Sequence, residues 1–269
     1  MRLATRLKTR AFDGQMDVAN DIDLRSYGAF IKTFPLQGES LYRTLFERHS
    51  DIIQTQKAKF ATANLKKIFE ATFEISATSG FDRMSLRDLS RATGMSMGAI
   101  YSCISKKEDI AVMVADIVRQ SSGLTQQYAR HGSSVLERIR QSIRFHLYAS
   151  TLLQPWYFFL FFETRSLPEP QQTESINIEL GGIDAFEAQI ESGIETGELR
   201  CSDPKMVANT LVVLLEDWYL KPWKNRSADG QTKRGRTSTK QQEIELNNYY
   251  QSINKLVTNL LTPELVNVD

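Results

Sequence analysis

The residues with the most distinctive chemistry lie in one stretch, SLRDLSRATGMSMGAIYSCISKK, at positions 85–107. Tyr101 carries a hydroxyl that can reach a phosphate, and Lys106 and Lys107 add two cations just beyond it. Gly98 and Ala99 are small enough to let a helix seat deeply against another surface. This combination suits non-covalent recognition of a phosphate backbone and of base edges.

Two short helices joined by a tight turn are predicted to position these side chains. Leu86, Leu89 and Ala92 are three apart and predict a helix over about 86–92, which Gly94 ends. Ser96 can N-cap a second helix that runs to about residue 102. The pattern is typical of a helix-turn-helix, whose second helix lies in the DNA major groove.

The order Thr-Gly-Met-Ser-x-Gly-x-Ile-Tyr, then Ser-Lys-Lys-Glu-Asp-Ile, resembles the DNA-binding signature of the TetR family of bacterial transcriptional regulators. The residues in register with the family pattern are Gly94, Met95, Ser96, Gly98, Ala99, Ile100, Tyr101, Lys107, Glu108 and Ile110. Cys103 stands where an aromatic residue is common and Ile104 where Phe is usual, but both keep an apolar body. The resemblance implies a regulator, most often a repressor, that binds a pseudo-palindromic operator as a homodimer.

We expect this stretch to contact double-stranded DNA through ten residues: Ser85, Arg87, Ser96, Met97, Gly98, Ala99, Tyr101, Ser102, Lys106 and Lys107. Tyr101 and Lys107 are expected to hold phosphates, while Met97, Gly98 and Ala99 face base edges. The alternative is a pair of ordinary packed helices with a glycine between them.

Helical periodicity predicts an all-α protein with an N-terminal three-helix helix-turn-helix domain, followed by a larger helical regulatory and dimerisation domain. The expected boundaries are 40–109 for the DNA-binding domain and 110–269 for the ligand-binding and dimerisation domain. Residues 1–39 form an N-terminal extension without a sustained period, either a flexible arm or short helices laid on the domain. The basic loop 221–240 is open to interpretation as a solvated hinge or a nucleic-acid contact.

An aromatic helix is predicted to begin at Pro155, because six of the seven residues at 156–162 are aromatic and cover its whole circumference. Such a helix is buried on all sides or lines a cavity. We expect a small, largely apolar effector, for which acyl or lipid-like compounds fit best, while a solidly packed core remains the alternative. The predicted ligand-binding residues are His146, Trp156, Tyr157, Phe159, Phe162, Glu163, Ile183 and Phe186.

Two long apolar stripes end the chain, over about 204–220 and 241–261. We expect them to form a four-helix bundle with their symmetry mates in a homodimer. The predicted dimer contacts are Leu211, Leu215, Trp218, Ile253, Leu256 and Leu260.

Catalysis is not expected. His49, His131 and His146 are scattered, and the sequence has no metal-ligand spacing, phosphate-cradling glycine loop or nucleophile motif. We therefore expect no enzyme activity, no cofactor and no metal. The rival class is a helical-bundle enzyme or lipid-binding protein with its site at the aromatic helix 155–166.

Length, composition and cysteine content limit the class of protein and its compartment. The length of 269 residues and the hydrophobic fraction of 41% suit one large or two small helical domains, and a net charge of +1 does not exclude a local basic face. Two cysteines are too few for a disulfide framework. No apolar run reaches the ~20 residues of a membrane span, so we expect a cytoplasmic protein without a membrane partner.

Overall fold

The computed structural model describes residues 18–224 and 238–262, which form eleven α-helices and no β-strand in that part of the chain. The predicted all-α class is confirmed. The helices are α1 (Tyr27–Thr33), α2 (Gly38–Arg48), α3 (Ala58–Ser79), α4 (Leu86–Thr93), α5 (Met97–Tyr101), α6 (Glu108–Ala129), α7 (Val135–Leu152), α8 (Gln154–Glu163), α9 (Glu169–Glu195), α10 (Pro204–Leu220) and α11 (Thr239–Leu261).

Helices α3, α4 and α5 form a small three-helix unit around fully buried side chains. Leu65 and Phe69 of α3 lie in the same buried core as Leu89 of α4 and Ile100 of α5. Ile104, the departure from the family pattern, is also fully buried, so the apolar body at this position keeps its packing role. The unit presents the short helix α5 at one edge.

The N-terminal extension packs as part of the core over residues 18–39, so a flexible arm is the wrong interpretation for this segment. Tyr27, Phe30 and Phe34 are buried, and the Phe30 ring lies 5.4 Å from that of Phe145 and 5.5 Å from that of Tyr148. The spacing of these three aromatic residues is helical, but Gly28 and Pro35 interrupt the apolar pattern around them. Residues 1–17, with their cluster of cations, lie outside the described residues, as do 225–237 of the basic loop.

Helix α6 joins the three-helix unit to the rest of the molecule. Asp116 of α6 is buried and accepts hydrogen bonds from Arg48 Nε at 2.7 Å and Arg48 Nη2 at 2.8 Å, with His49 Nε2 at 3.1 Å. Burial alone would raise the pKa of Asp116, but the hydrogen bonds from His49 and Arg48 outweigh it and hold that pKa well below its usual range. This cluster ties the end of α2 to the middle of α6.

Helices α6 to α11 form the larger unit. The longest, α9, packs against α10, α6 and α7, while α11 packs against α7 and α1. Among the described residues, no helix has both the length and the hydropathy needed to cross a membrane.

Candidate DNA-binding surface and effector cavity

Side-chain caps and a left-handed glycine fix the turn between α4 and α5. Ser85 Oγ accepts the N–H of Asp88 at 3.2 Å, and Asp88 Oδ2 accepts the N–H of Ser85 at 3.0 Å, which completes a capping box. Gly94 has a φ of 67°, as the end of α4 requires. Ser96 Oγ accepts the N–H of Ala99 at 3.2 Å and begins α5.

The outer face of α5 is open. Gly98 is exposed, and a Cβ atom added there would meet only Ser96 Oγ, at 4.0 Å. Tyr101 is 47% exposed, whereas Ile100 on the opposite face is fully buried. Met97 and Ala99 are half-buried beside this face. A short helix with a small, exposed residue on its outer face suits close seating in a groove.

Of the three cationic side chains predicted to contact DNA, two are exposed and one donates a hydrogen bond within the protein. Arg87 and Lys106 are exposed. Lys107 Nζ instead donates to the carbonyl oxygen of Asp82 at 2.6 Å and lies 5.3 Å from the centroid of the Phe81 ring. Its ammonium group therefore contacts the loop between α3 and α4 in this structure, and the phosphate contact of Lys107 stays a prediction.

The serine hydroxyls predicted to contact DNA are largely committed to the local fold. The hydroxyls of Ser85 and Ser96 are the helix caps, although both residues are exposed. Ser102 Oγ donates to the carbonyl oxygen of Ala99 at 2.8 Å and accepts the Thr55 hydroxyl at 3.0 Å. The prediction missed this role because the capping pattern alone does not show where a side chain at the end of α5 points.

A cavity of about 260 Å³ opens among α6, α7, α8, α9 and α10. Three of the predicted ligand-binding residues line it, namely His146, Tyr157 and Phe186. The other lining residues are Val118, Ser122, Leu160, Phe161, Thr164, Arg165, Ser175, Ile176, Ile178, Glu179, Gly182, Val212, Leu215, Glu216 and Tyr219. The cavity is mostly apolar, but it has more polar groups than the aromatic helix alone predicted.

The remaining predicted ligand-binding residues lie elsewhere. Trp156 stacks on Phe69 of α3 at a centroid distance of 4.7 Å, and the Phe159 ring meets the Phe81 ring edge-on at 4.9 Å. Glu163 Oε2 accepts the N–H of Phe81 at 3.0 Å. These three side chains face the three-helix unit because α8 is sandwiched between that unit and the cavity.

Two further residues also fall outside the cavity lining. Phe162 is exposed and packs its ring at 4.3 Å from that of Phe158. Ile183 is buried in the apolar core around α9. An aromatic run identifies α8 as a special helix, but the run itself does not show which ring faces which neighbour.

One wall of the cavity carries a cluster of rings around a neutral histidine. The His146 ring lies 5.4 Å from the ring of Tyr157 and 6.3 Å from that of Tyr219. Burial lowers the pKa of His146 to about 4, so the imidazole is neutral at pH 7. Tyr157 donates its hydroxyl to Ser121 Oγ at 3.0 Å, which satisfies that buried phenol.

Sequence reasoning missed the acidic part of the cavity. Burial, together with the nearby charge of Glu179, raises the pKa of Glu216 to about 7. Glu216 lies one residue after Leu215 and three before Tyr219, at the edge of the buried stripe of α10. The position of this carboxylate at the edge of the apolar stripe was the signal in the sequence that could have identified it as a cavity residue.

Two of the six residues predicted for the dimer, Leu256 and Leu260, are exposed in the protomer, and the other four are buried. Leu211, Leu215, Trp218 and Ile253 are buried within the protomer, and Trp218 Nε1 donates to Thr151 Oγ1 at 2.8 Å. These four face the protomer's own core, because α10 and α11 pack on α7 with their strongest apolar stripes.

Leu256 and Leu260 remain exposed, at 52% and 49%, on one side of α11. Met206 and Val213 are exposed on α10. The apolar surface available to a second copy therefore comes from the flanks of the two helices.

Part of this architecture matches a known protein family. Residues 132–220 match the family described as "Tetracyclin repressor-like, C-terminal domain". No curated protein sequence matches the chain.

Solved structures share the fold over about three quarters of the chain. A TetR/AcrR-family transcriptional regulator from Thermobifida fusca is 21% identical over 72% of this chain and 96% of its own, with a TM-score of 0.50. The ketosteroid transcriptional regulator KstR2 of Mycobacterium tuberculosis is 16% identical over 79% and 100%, with a TM-score of 0.56. FadR from Bacillus subtilis, solved in complex with stearoyl-CoA, is 15% identical over 72% and 97%, with a TM-score of 0.52.

Proposed function

Since this chain has the fold of TetR-family transcriptional regulators and carries a tetracyclin repressor-like domain at 132–220, we propose that it is a ligand-responsive repressor. It binds a palindromic operator as a homodimer. DNA binding is assigned to residues 40–109, and effector binding and dimerisation to 110–269. The family match and the solved relatives, which are regulators, favour this function over a helical-bundle enzyme or a lipid-binding protein.

The observation that carries DNA binding is the outer face of α5. Gly98 leaves room for close approach, and Tyr101 projects beside it with Lys106 just beyond. Because Lys107 donates to the loop after α3, we assign the phosphate contacts to Tyr101, Arg87 and Lys106.

The cavity is the proposed effector site. Its lining is mainly aliphatic and aromatic, which suits an apolar effector with a lipid-like or acyl body. FadR from Bacillus subtilis was solved with stearoyl-CoA, and its fold resembles this one, which supports an acyl-type body for the effector of this chain. Tyr157, Leu160 and Phe161 bring α8 into contact with whatever fills the cavity.

Helix α8 connects the effector cavity to the DNA-binding unit. The side chains that do not face the cavity, Trp156 and Phe159, pack on rings of the three-helix unit, and Glu163 accepts the N–H of Phe81. A ligand that shifts α8 must therefore also shift Phe81 and the start of α4. We propose that this movement changes the separation of the two α5 helices in the dimer and lowers operator affinity.

Glu163→Ala should weaken this coupling. Loss of the carboxylate leaves the Phe81 N–H without its acceptor and frees the loop before α4 from α8. We expect effector affinity to stay within about twofold, while the ligand-induced drop in operator affinity shrinks several-fold. Fluorescence anisotropy of labelled operator, with and without effector, measures both quantities.

Glu169→Ala is the matched control, since Glu169 is exposed at the start of α9 and outside the cavity lining. It should respond to effector as the wild type does. An unchanged response in Glu163→Ala would contradict the route through α8.

A gel-shift assay against the DNA upstream of the protein's own gene tests the proposed function. We expect a discrete complex at submicromolar protein that survives excess unrelated duplex. A protein that retards all duplexes equally, or none, is not an operator-binding regulator.

A further inference from the structure

The polar groups that line the effector cavity include two carboxylates, one guanidinium, one imidazole and several hydroxyls. Glu216 is half-buried and lines the cavity from α10, and Glu179 lines it from α9. Neither carboxylate forms an ion pair with any described residue. The α9 and α10 side of the cavity therefore carries two carboxylates, one exposed and one half-buried, that no described cation pairs within 4 Å.

Two further polar atoms of the lining lack a hydrogen-bond partner among the described residues. Ser175 is only 7% exposed, and its Oγ atom is buried and unpaired. His146 Nε2 is also buried and unpaired, in a ring that is neutral at pH 7 and so offers one acceptor nitrogen. Unpaired buried polar atoms are costly, and a bound ligand that satisfies them regains that cost.

The charged and titratable groups around Glu216 come from five elements. They are His146 of α7, Tyr157 of α8, Arg165 in the 3-10 turn after α8, Glu179 of α9 and Tyr219 of α10. Arg165 is the cation of this set, and it is exposed, with its charge in the solvent. A carboxylate head group held by Arg165 would leave Glu216 unpaired and would add a third negative charge beside Glu216 and Glu179.

We propose that the effector is a cationic amphiphile, with a protonated amine that binds Glu216 and Ser175 and an apolar body that fills the rest of the cavity. This inference rests on the proposed function, because it assigns the head-group chemistry of the same effector site. An ammonium group has three donors. The Glu216 carboxylate and the Ser175 hydroxyl oxygen each accept one, and Glu179 or His146 supplies the third acceptor.

Three probes of equal chain length separate the head groups: decylammonium, decanol and decanoate. Isothermal titration calorimetry with the full-length dimer at pH 8 should give the tightest binding for decylammonium, with decanol at least about tenfold weaker and decanoate weakest. Glu216→Gln should abolish the preference for decylammonium over decanol and leave decanol binding unchanged. The control Glu191→Gln removes the same charge from an exposed site on α9 and should leave all three affinities unchanged.

The affinity for decylammonium should also depend on pH. Because the pKa of Glu216 is about 7 in the free protein, a bound ammonium must displace its proton below that pH. The alkylammonium group itself stays protonated, since its pKa is near 10, as for lysine. Affinity for decylammonium should therefore fall about tenfold from pH 8 to pH 6 in the wild type and stay flat in Glu216→Gln.

The outcomes separate this inference from the proposed function. Decanoate binding as tightly as decylammonium, or a Glu216→Gln protein that keeps the amine preference, overturns the cationic head group while leaving a ligand-responsive cavity intact. If none of the three probes binds the wild type, both the head-group inference and the assignment of this cavity as the effector site fail, while operator binding is tested separately by the gel shift.

Discussion

Gly98→Glu should reduce operator affinity at least about 100-fold while leaving the fold intact. The open space at Gly98 accepts a side chain without a clash inside the protein, since an added Cβ meets only Ser96 Oγ at 4.0 Å. On the proposed DNA side, the new side chain would stand on the exposed face of α5 and bring a carboxylate toward the phosphates. Gel shift and thermal melting, measured on the same preparation, separate binding from stability.

The matched control is Gly123→Glu, in the middle of α6. A Cβ atom at Gly123 also meets nothing within 4 Å, but this helix lies outside the α4–α5 unit. We expect Gly123→Glu to bind operator as the wild type does. Equal losses in the two variants, or no loss in Gly98→Glu, would show that α5 does not enter the groove.

The double change Leu256→Glu with Leu260→Glu should give monomers in place of the proposed dimer. These leucines are half exposed in the isolated protomer, one turn apart on α11, and two carboxylates on each copy would repel across a two-fold axis. A monomer holds only one half-site, so operator affinity should fall about 10²–10⁴-fold through lost avidity. Sedimentation velocity at micromolar concentration reports the mass.

Asn247→Glu with Gln251→Glu is the control for this change. Both residues are exposed on α11 with the same four-residue spacing, but on another side of the helix. This variant should remain dimeric. A monomeric wild type, or a dimeric Leu256→Glu/Leu260→Glu protein, would place the interface elsewhere or remove it.

Local signals in the sequence predicted the parts of the fold that short-range physics controls. The capping serines, the left-handed Gly94 and the three- and four-residue apolar spacings gave the helix-turn-helix and the order of the later helices. Helix α1 escaped the prediction because it is only seven residues long and is flanked by Gly28 and Pro35. Its burial depends on rings of α7, which are more than 100 residues away in the chain.

The functional surfaces were harder to predict, because they depend on which side of a helix the tertiary structure covers. The strongest apolar residues of α10 and α11, such as Leu211 and Ile253, serve the protomer core and not a surface. In α8 the same aromatic run serves both the cavity and the DNA-binding unit, so Tyr157 and Trp156 have different neighbours although they are adjacent. Lys107 matches a DNA-binding signature, but its ammonium group donates to the backbone carbonyl oxygens of Phe81 and Asp82.

The most direct test of the account is selection of bound sequences from a pool of random duplex DNA by the wild-type protein. We predict enrichment of an inverted repeat, with half-sites spaced by about one helical turn of 10 base pairs or a multiple of it, and two or a multiple of two protomers per site. The Gly98→Glu protein should enrich nothing from the same pool. Failure of the wild type to enrich any sequence, or enrichment of a site without two-fold symmetry, would contradict the central claim that this chain is an operator-binding dimer.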